Sequence, residues 1–188
     1  LKIEPLERGA GFEFVDHVKG GVIPGVFMTS VEKGVRQALS DGVIAGFPAE
    51  DIRVIVYDGK THAVDGKDVA FVTAGRKATI EAIRAANPIV LEPIVAIEIV
   101  APEAAIGDLT GVLSSRRGHI TGTNPRPGNT ASITGEVPLA EITDYASRLK
   151  SMTAGQGSFS IEFVRHAQVP PSVQQKLAAS FRPQDEEE

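Results

Sequence analysis

The side chains best suited to chemistry fall in two groups: His62 with Lys60, Asp65 and Asp68 around it, and Arg116 with Arg117 and His119. A histidine with a carboxylate in reach can serve as a general base. No serine, lysine or second histidine pairs with His62 and Asp65 in a recognisable nucleophile pattern, so a small α/β enzyme built on them is the weaker reading. The histidines at 17, 62, 119 and 166 are scattered without metal-site spacing, and the chain has no cysteine for a disulfide, a thiolate site or a nucleophile. Gly59-Lys60-Thr61 ends like a phosphate-binding loop, yet Val54 stands where the first glycine of Gly-x-x-x-x-Gly-Lys-Ser/Thr belongs. No catalytic residue, metal or cofactor is therefore expected. Arg116, Arg117 and His119 offer two fixed charges and one switchable one; they can cap a helix end electrostatically or meet phosphate, whose oxygens match the planar guanidinium fork. Arg126 extends that patch if its loop folds back.

The elements that must hold these groups are built from few rings. Hydrophobic residues make up 42% of the 188 but aromatics only 5%, which suits thin helix-on-sheet layers of Val, Ile, Leu and Ala better than a deep cofactor pocket. Net charge is -5, and Asp185, Glu186, Glu187 and Glu188 contribute four of those negative charges, leaving -5 + 4 = -1 for the rest. Local basic patches thus remain free to act, and the acidic end reads as a solvated tail. The first residues, Leu1-Lys2-Ile3-Glu4, are strand-like with no leader pattern, and no apolar run approaches membrane-spanning length, so a cytoplasmic protein is expected.

Along the first half, 1–5 and 11–18 read as extended, and Thr29 with Glu32 forms a capping-box pattern for a helix carrying Val31, Val35 and Leu39 on one face until Gly42. Alternation at Ile52, Val54 and Val56 predicts a strand, Asp58-Gly59 a turn, and 61–64 a second strand-like piece. A helix over 67–86 is expected to bury Val69, Val72, Ile80 and Ile83, with Ala74 and Ala78 allowing close packing, until Asn87-Pro88 stops it. In the second half, the order is a strand over 94–100, a helix from Pro102 to Gly118, strands over 119–123 and 130–137 joined by a long exposed loop, a helix from Pro138 to Met152, and a strand whose Phe159, Ile161 and Phe163 suit burial. That β-α-β-β-α-β order is ferredoxin-like, and a further short helix is predicted at 172–179. An RNA-binding role for the open face of that sheet would need stacking aromatics there.

Four strings, Gly20-Gly21-Val22-Ile23-Pro24, Thr61-His62-Ala63-Val64-Asp65, Leu91-Glu92-Pro93-Ile94 and Ser115-Arg116-Arg117-Gly118, occur in an order that resembles the C-terminal part of bacterial elongation factor G. The resemblance implies an α+β chain of two α/β sandwich domains. The first, over 1–91 with its N-terminal part missing, is similar to the second domain of ribosomal protein S5; a ferredoxin-like domain follows over 92–169, and 170–188 forms the short helix and acidic tail. It also implies a monomeric ribosome-binding arm of a translational GTPase. The arm would promote movement of transfer RNA and messenger RNA, with ribosomal RNA of both subunits as partner and GTP with Mg²⁺ held in a preceding part of the parent. By the same resemblance Lys60, His62 and Asp65 sit at a tip that reaches the decoding region, and Arg116, Arg117 and His119 face the large subunit. The family tip reads His-Asp-Val-Asp-Ser-Ser, from which Ala63, Gly66 and Lys67 depart. Gly25-Val26-Phe27-Met28 and Gly75-Arg76-Lys77-Ala78-Thr79 also depart, as in an elongation factor G paralogue serving ribosome recycling or stress adaptation. The string Ser151-Met152-Thr153-Ala154-Gly155-Gln156-Gly157-Ser158 matches the family as well, with a structural role expected for its glycines.

Overall fold

The computed structural model describes residues 1–61 and 67–182. It forms two compact units, one of Leu1–Val90 with the segment from Pro170 onward, the other of Leu91–Val169. Both are mixed α+β. The strand-like piece expected at 61–64 lies largely outside the described residues.

In the first unit, strands β1 (Lys2–Pro5), β2 (Phe12–Asp16) and β3 (Ile52–Val56) form a sheet in the order β1-β3-β2. β1 runs antiparallel to β3, whereas β2 runs parallel to it. A parallel pair needs a crossover, and helix α1 (Met28–Asp41) supplies it. Helix α2 (Asp68–Ala85) lies beside α1, and Val31, Val35, Leu39, Val54, Val56, Phe71 and Ile83 meet in the core. The capping box does not form: the N-cap residue is Phe27, with no side-chain cap. A 3-10 turn, Gly25–Phe27, leads into the helix, and the Phe27 ring stacks on Phe71 at 4.3 Å, so aromatic packing fixes the start. The buried face of α2 also differs from the expected stripe. Phe71, Gly75, Thr79 and Ile83 are buried at i+4 spacing, while Val69 is 74% exposed. The close approach falls at Gly34 and Gly75, not at Ala74 and Ala78; a Cβ on Gly34 would stand 2.0 Å from the Val72 carbonyl oxygen, and one on Gly75 2.6 Å from that of Val31. Helix α5 (Pro171–Ser180) belongs to this unit.

The second unit follows the expected ferredoxin-like order. Strands β4 (Leu91–Pro102), β5 (His119–Arg126), β6 (Thr130–Pro138) and β7 (Ser158–Gln168) are all antiparallel, in the order β5-β6-β4-β7, with helices α3 (Ile106–Ser115) and α4 (Tyr145–Met152) interleaved in the chain. Val95, Ile97 and Ile99 of the central β4 pack with Leu109, Leu113, Ile133, Tyr145 and Leu149. Two expectations change. The loop between β5 and β6 is short, since β5 continues to Arg126 and only 127–129 turn, with Gly128 and Asn129 at φ of 79° and 54°. Phe159 packs edge-on to Tyr145, but Ile161 and Phe163 are 45% and 57% exposed. They sit on the outer strand, beside rather than between the layers of the core. The face of the sheet away from the helices presents Glu98, Glu136, Glu162 and Ser160 in register, with no aromatic among them.

Candidate nucleic-acid interface

Lys60 is exposed at the end of the segment that leaves β3, in the first unit. That segment rests on the glycine-rich stretch before α1: Thr61 Oγ1 donates to the Val22 carbonyl at 2.7 Å, and a Cβ on Gly59 would run into Ile23 at 2.5 Å. Gly20 and Gly21 both take φ near 70° (70° and 67°), a conformation that favours glycine and turns the chain there. The structure thus brings Lys60 together with the Gly20-Gly21-Val22-Ile23-Pro24 string. His62 and Asp65 lie outside the described residues.

In the second unit, α3 ends through a Schellman-type closure, with the Gly118 N–H donating to the Leu113 carbonyl at 2.8 Å. The residue in the left-handed conformation is Arg117, at φ 60°, and not the glycine that follows it. Gly118 is required for a different reason, since a Cβ there would be 2.7 Å from the Leu113 oxygen. The Arg117 guanidinium donates to both Glu92 oxygens at 2.6 and 2.9 Å, and its Nε donates to Glu141 at 2.8 Å. Glu92, at the start of β4, is only 8% exposed. Arg116 grips Asp144 through both terminal nitrogens and also donates to the Glu141 carbonyl.

Those hydrogen bonds hold both arginines above their ordinary pKa, with Asp144 the main cause for Arg116 and Glu92 for Arg117. Arg116 in turn holds the Asp144 carboxyl below the usual range. Asp144 immediately precedes α4, yet it does not cap that helix, because its side chain serves Arg116. The pair expected to offer open positive charge therefore joins the start of β4, the end of α3 and the approach to α4. Glu92, Glu141 and Asp144 were missed as partners, although a glutamate inside the apolar run from Val90 to Val100 was a signal, because a buried carboxylate needs a cation.

His119 does not join this network. Its strand neighbour Ile120 packs into the core, so His119 faces the uncovered side of the sheet, opposite Glu136 in register. Arg126 lies at the far end of β5, where it pairs with Glu98, and does not extend the patch. Among the described residues no group of three or more His, Asp or Glu side chains could hold a metal ion, and no helix is long and apolar enough to cross a membrane.

Sequence models of two consecutive domains match this chain, "Elongation factor G, domain IV" over residues 1–87 and "Elongation factor G C-terminus" over residues 89–177. The chain belongs to the elongation factor G family. An "Elongation factor G-like protein" of Thermotoga maritima is 44% identical over 188 residues, covering 100% of this chain and 28% of the relative. An "Elongation factor G" of Aquifex pyrophilus is 46% identical over 177 residues, or 94% of this chain and 25% of the relative. A crystal structure of a Thermus thermophilus protein is similar at a TM-score of 0.71 and 36% identity, over 94% of this chain and 26% of that one. The chain spans about a quarter of the length of these relatives (28%, 25% and 26%). Within the elongation factor G frame, Lys60 belongs to the domain IV match and Arg116, Arg117 and His119 to the C-terminal match. The C-terminal match also takes in most of α5, which the fold groups with the first unit.

Proposed function

We propose that this chain is the ribosome-binding arm of an elongation factor G-type GTPase, promoting movement of transfer RNA and messenger RNA on the ribosome. The observation that carries this reading is the pair of elongation factor G domain matches standing side by side over 1–87 and 89–177. The arm acts mechanically, by shape and charge, and binds no nucleotide; GTP and Mg²⁺ belong to a preceding part of a cytoplasmic, monomeric parent. Lys60, with His62 and Asp65, contacts RNA at the decoding site, where backbone and 2′-hydroxyl groups offer partners. His119 contributes at the second unit. Arg116 and Arg117 shape that end of the unit through their carboxylate partners, and their phosphate contact is secondary.

A second reading is a paralogue acting in ribosome recycling or stress adaptation, favoured by a relative that bears the name "Elongation factor G-like protein" and matches this chain from end to end. Cosedimentation of the full-length parent with 70S ribosomes in a non-hydrolysable GTP analogue, together with single-turnover translocation, separates the two. Binding with translocation supports the first reading, and binding without it the paralogue. Absence of binding overturns both.

A further inference from the structure

We propose that α5 is a detachable strap that closes the first unit, with Gln174 as its fastening. After α2 the chain turns at Asn87, with φ 51°, and runs through Pro88 and Val90. The Gln174 amide reads this stretch in both directions: the Val90 N–H donates to Oε1 at 3.0 Å, and Nε2 donates to the Pro88 carbonyl at 3.2 Å. A primary amide presents one donor edge and one acceptor edge, so it pairs with a strand-like backbone as a neighbouring strand would. Val90 is buried, and without Gln174 its N–H would lose that partner.

The other end of the strap is held separately. The Phe181 ring lies against Gly46, where a Cβ would stand 3.0 and 3.1 Å from two ring carbons. Gly46, at φ 74°, is open to the ring because it has no side chain. Between these points α5 buries no residue fully. Its attachment therefore rests on two fastenings and partial cover, the profile of an element that opens locally before its unit unfolds. The strap follows β7 in sequence, so the first unit is assembled from two separate stretches of chain and is complete only when 170–181 has returned to it.

Amide hydrogen exchange by NMR on the 188-residue chain tests this. Gln174→Ala is expected to speed exchange at Val90 by roughly fivefold, the factor set by one ordinary hydrogen bond, while Ile133 in the second unit keeps its rate. Gln174→Glu retains the acceptor and keeps Val90 slow. A chain ending at Val169 should exchange faster at Val54 and Ile83 and unchanged at Ile99 and Ile133. An unchanged Val90 rate in Gln174→Ala overturns the proposal. So does a truncation that leaves Val54 and Ile83 untouched or speeds both units alike.

Discussion

Arg117 adopts a left-handed backbone conformation that an ordinary L-residue takes at a cost of about 1 kcal/mol. Its three ion-paired hydrogen bonds offset that cost and neutralise Glu92, a carboxylate that burial would otherwise penalise. Removing the cation strands the carboxylate, so Arg117→Ala is expected to lower stability by about 2 kcal/mol, less than for a fully buried pair because the Arg117 side chain keeps 30% of its exposure. Urea unfolding of Arg117→Ala, Glu92→Ala and the double variant checks it; a double variant as costly as the two singles summed would show that the pair is not coupled. Tyr145 presents the opposite case. Its buried hydroxyl has no hydrogen-bond partner among the described residues, and burial pushes its pKa up to about 12. Tyr145→Phe deletes an unpaired polar atom without changing the packing of the ring, so stability should hold or rise by up to about 1 kcal/mol. A clear loss in a thermal melt would reveal a partner for that hydroxyl.

Among the elements, the crossing of α1 and α2 depends most on single residues. Alanine has the better helix propensity by about 1 kcal/mol, so on local grounds Gly34→Ala and Gly75→Ala should both stabilise. The contacts reverse that sign, since each new Cβ meets a backbone oxygen that cannot move without shifting its helix. Both variants are expected to lose at least about 2 kcal/mol, Gly34→Ala more because its approach is the closer, and denaturant midpoints that ranked them the other way would refute the close-crossing account. The turn before β3 adds a pH dependence. The Asp51 carboxylate accepts the Gly9 and Gly11 amides at 3.0 and 2.9 Å, and these bonds, Gly11 first, hold its pKa below 3.8. A depressed folded pKa gives stability that is present above the unfolded value and lost as pH falls through the folded one. The first unit should thus weaken below about pH 4, and Asp51→Asn should flatten that part of the curve; equal acid slopes in both proteins would remove Asp51 as the cause. The strands and the second unit's order were legible because alternation and turn residues are local signals. The helix crossing was not, because it depends on two glycines far apart in sequence. The start of α1 was set by an aromatic stack across elements, which outweighed a capping pattern that was correct on its own terms.

At the scale of the whole molecule, and under the proposed ribosome-binding reading, charge decides how this chain would engage RNA. A net charge of -5 supplies no general attraction, so binding depends on which cations remain available to displace counterions from phosphate. The sequence shows where the basic residues stand but not which are already neutralised, because partner choice is a property of the fold: Glu92 is distant in sequence from Arg117 and adjacent to it in space. Lys60 is exposed, whereas Arg117 is held by two carboxylates. Under the ribosome-binding reading, Lys60→Ala in the full-length parent should lower the slope of log affinity against log salt by about 1, while Arg117→Ala, measured on its folded fraction, should leave that slope nearly unchanged. Cosedimentation with ribosomes across a salt series gives both slopes. If Arg117→Ala lowers the slope as much as Lys60→Ala does, the arginine leaves its carboxylates to meet phosphate on the ribosome, and the internal network is a resting arrangement. Equal slopes in the parent and the Arg117 variant would instead fix the arginine as a builder of the surface that others use.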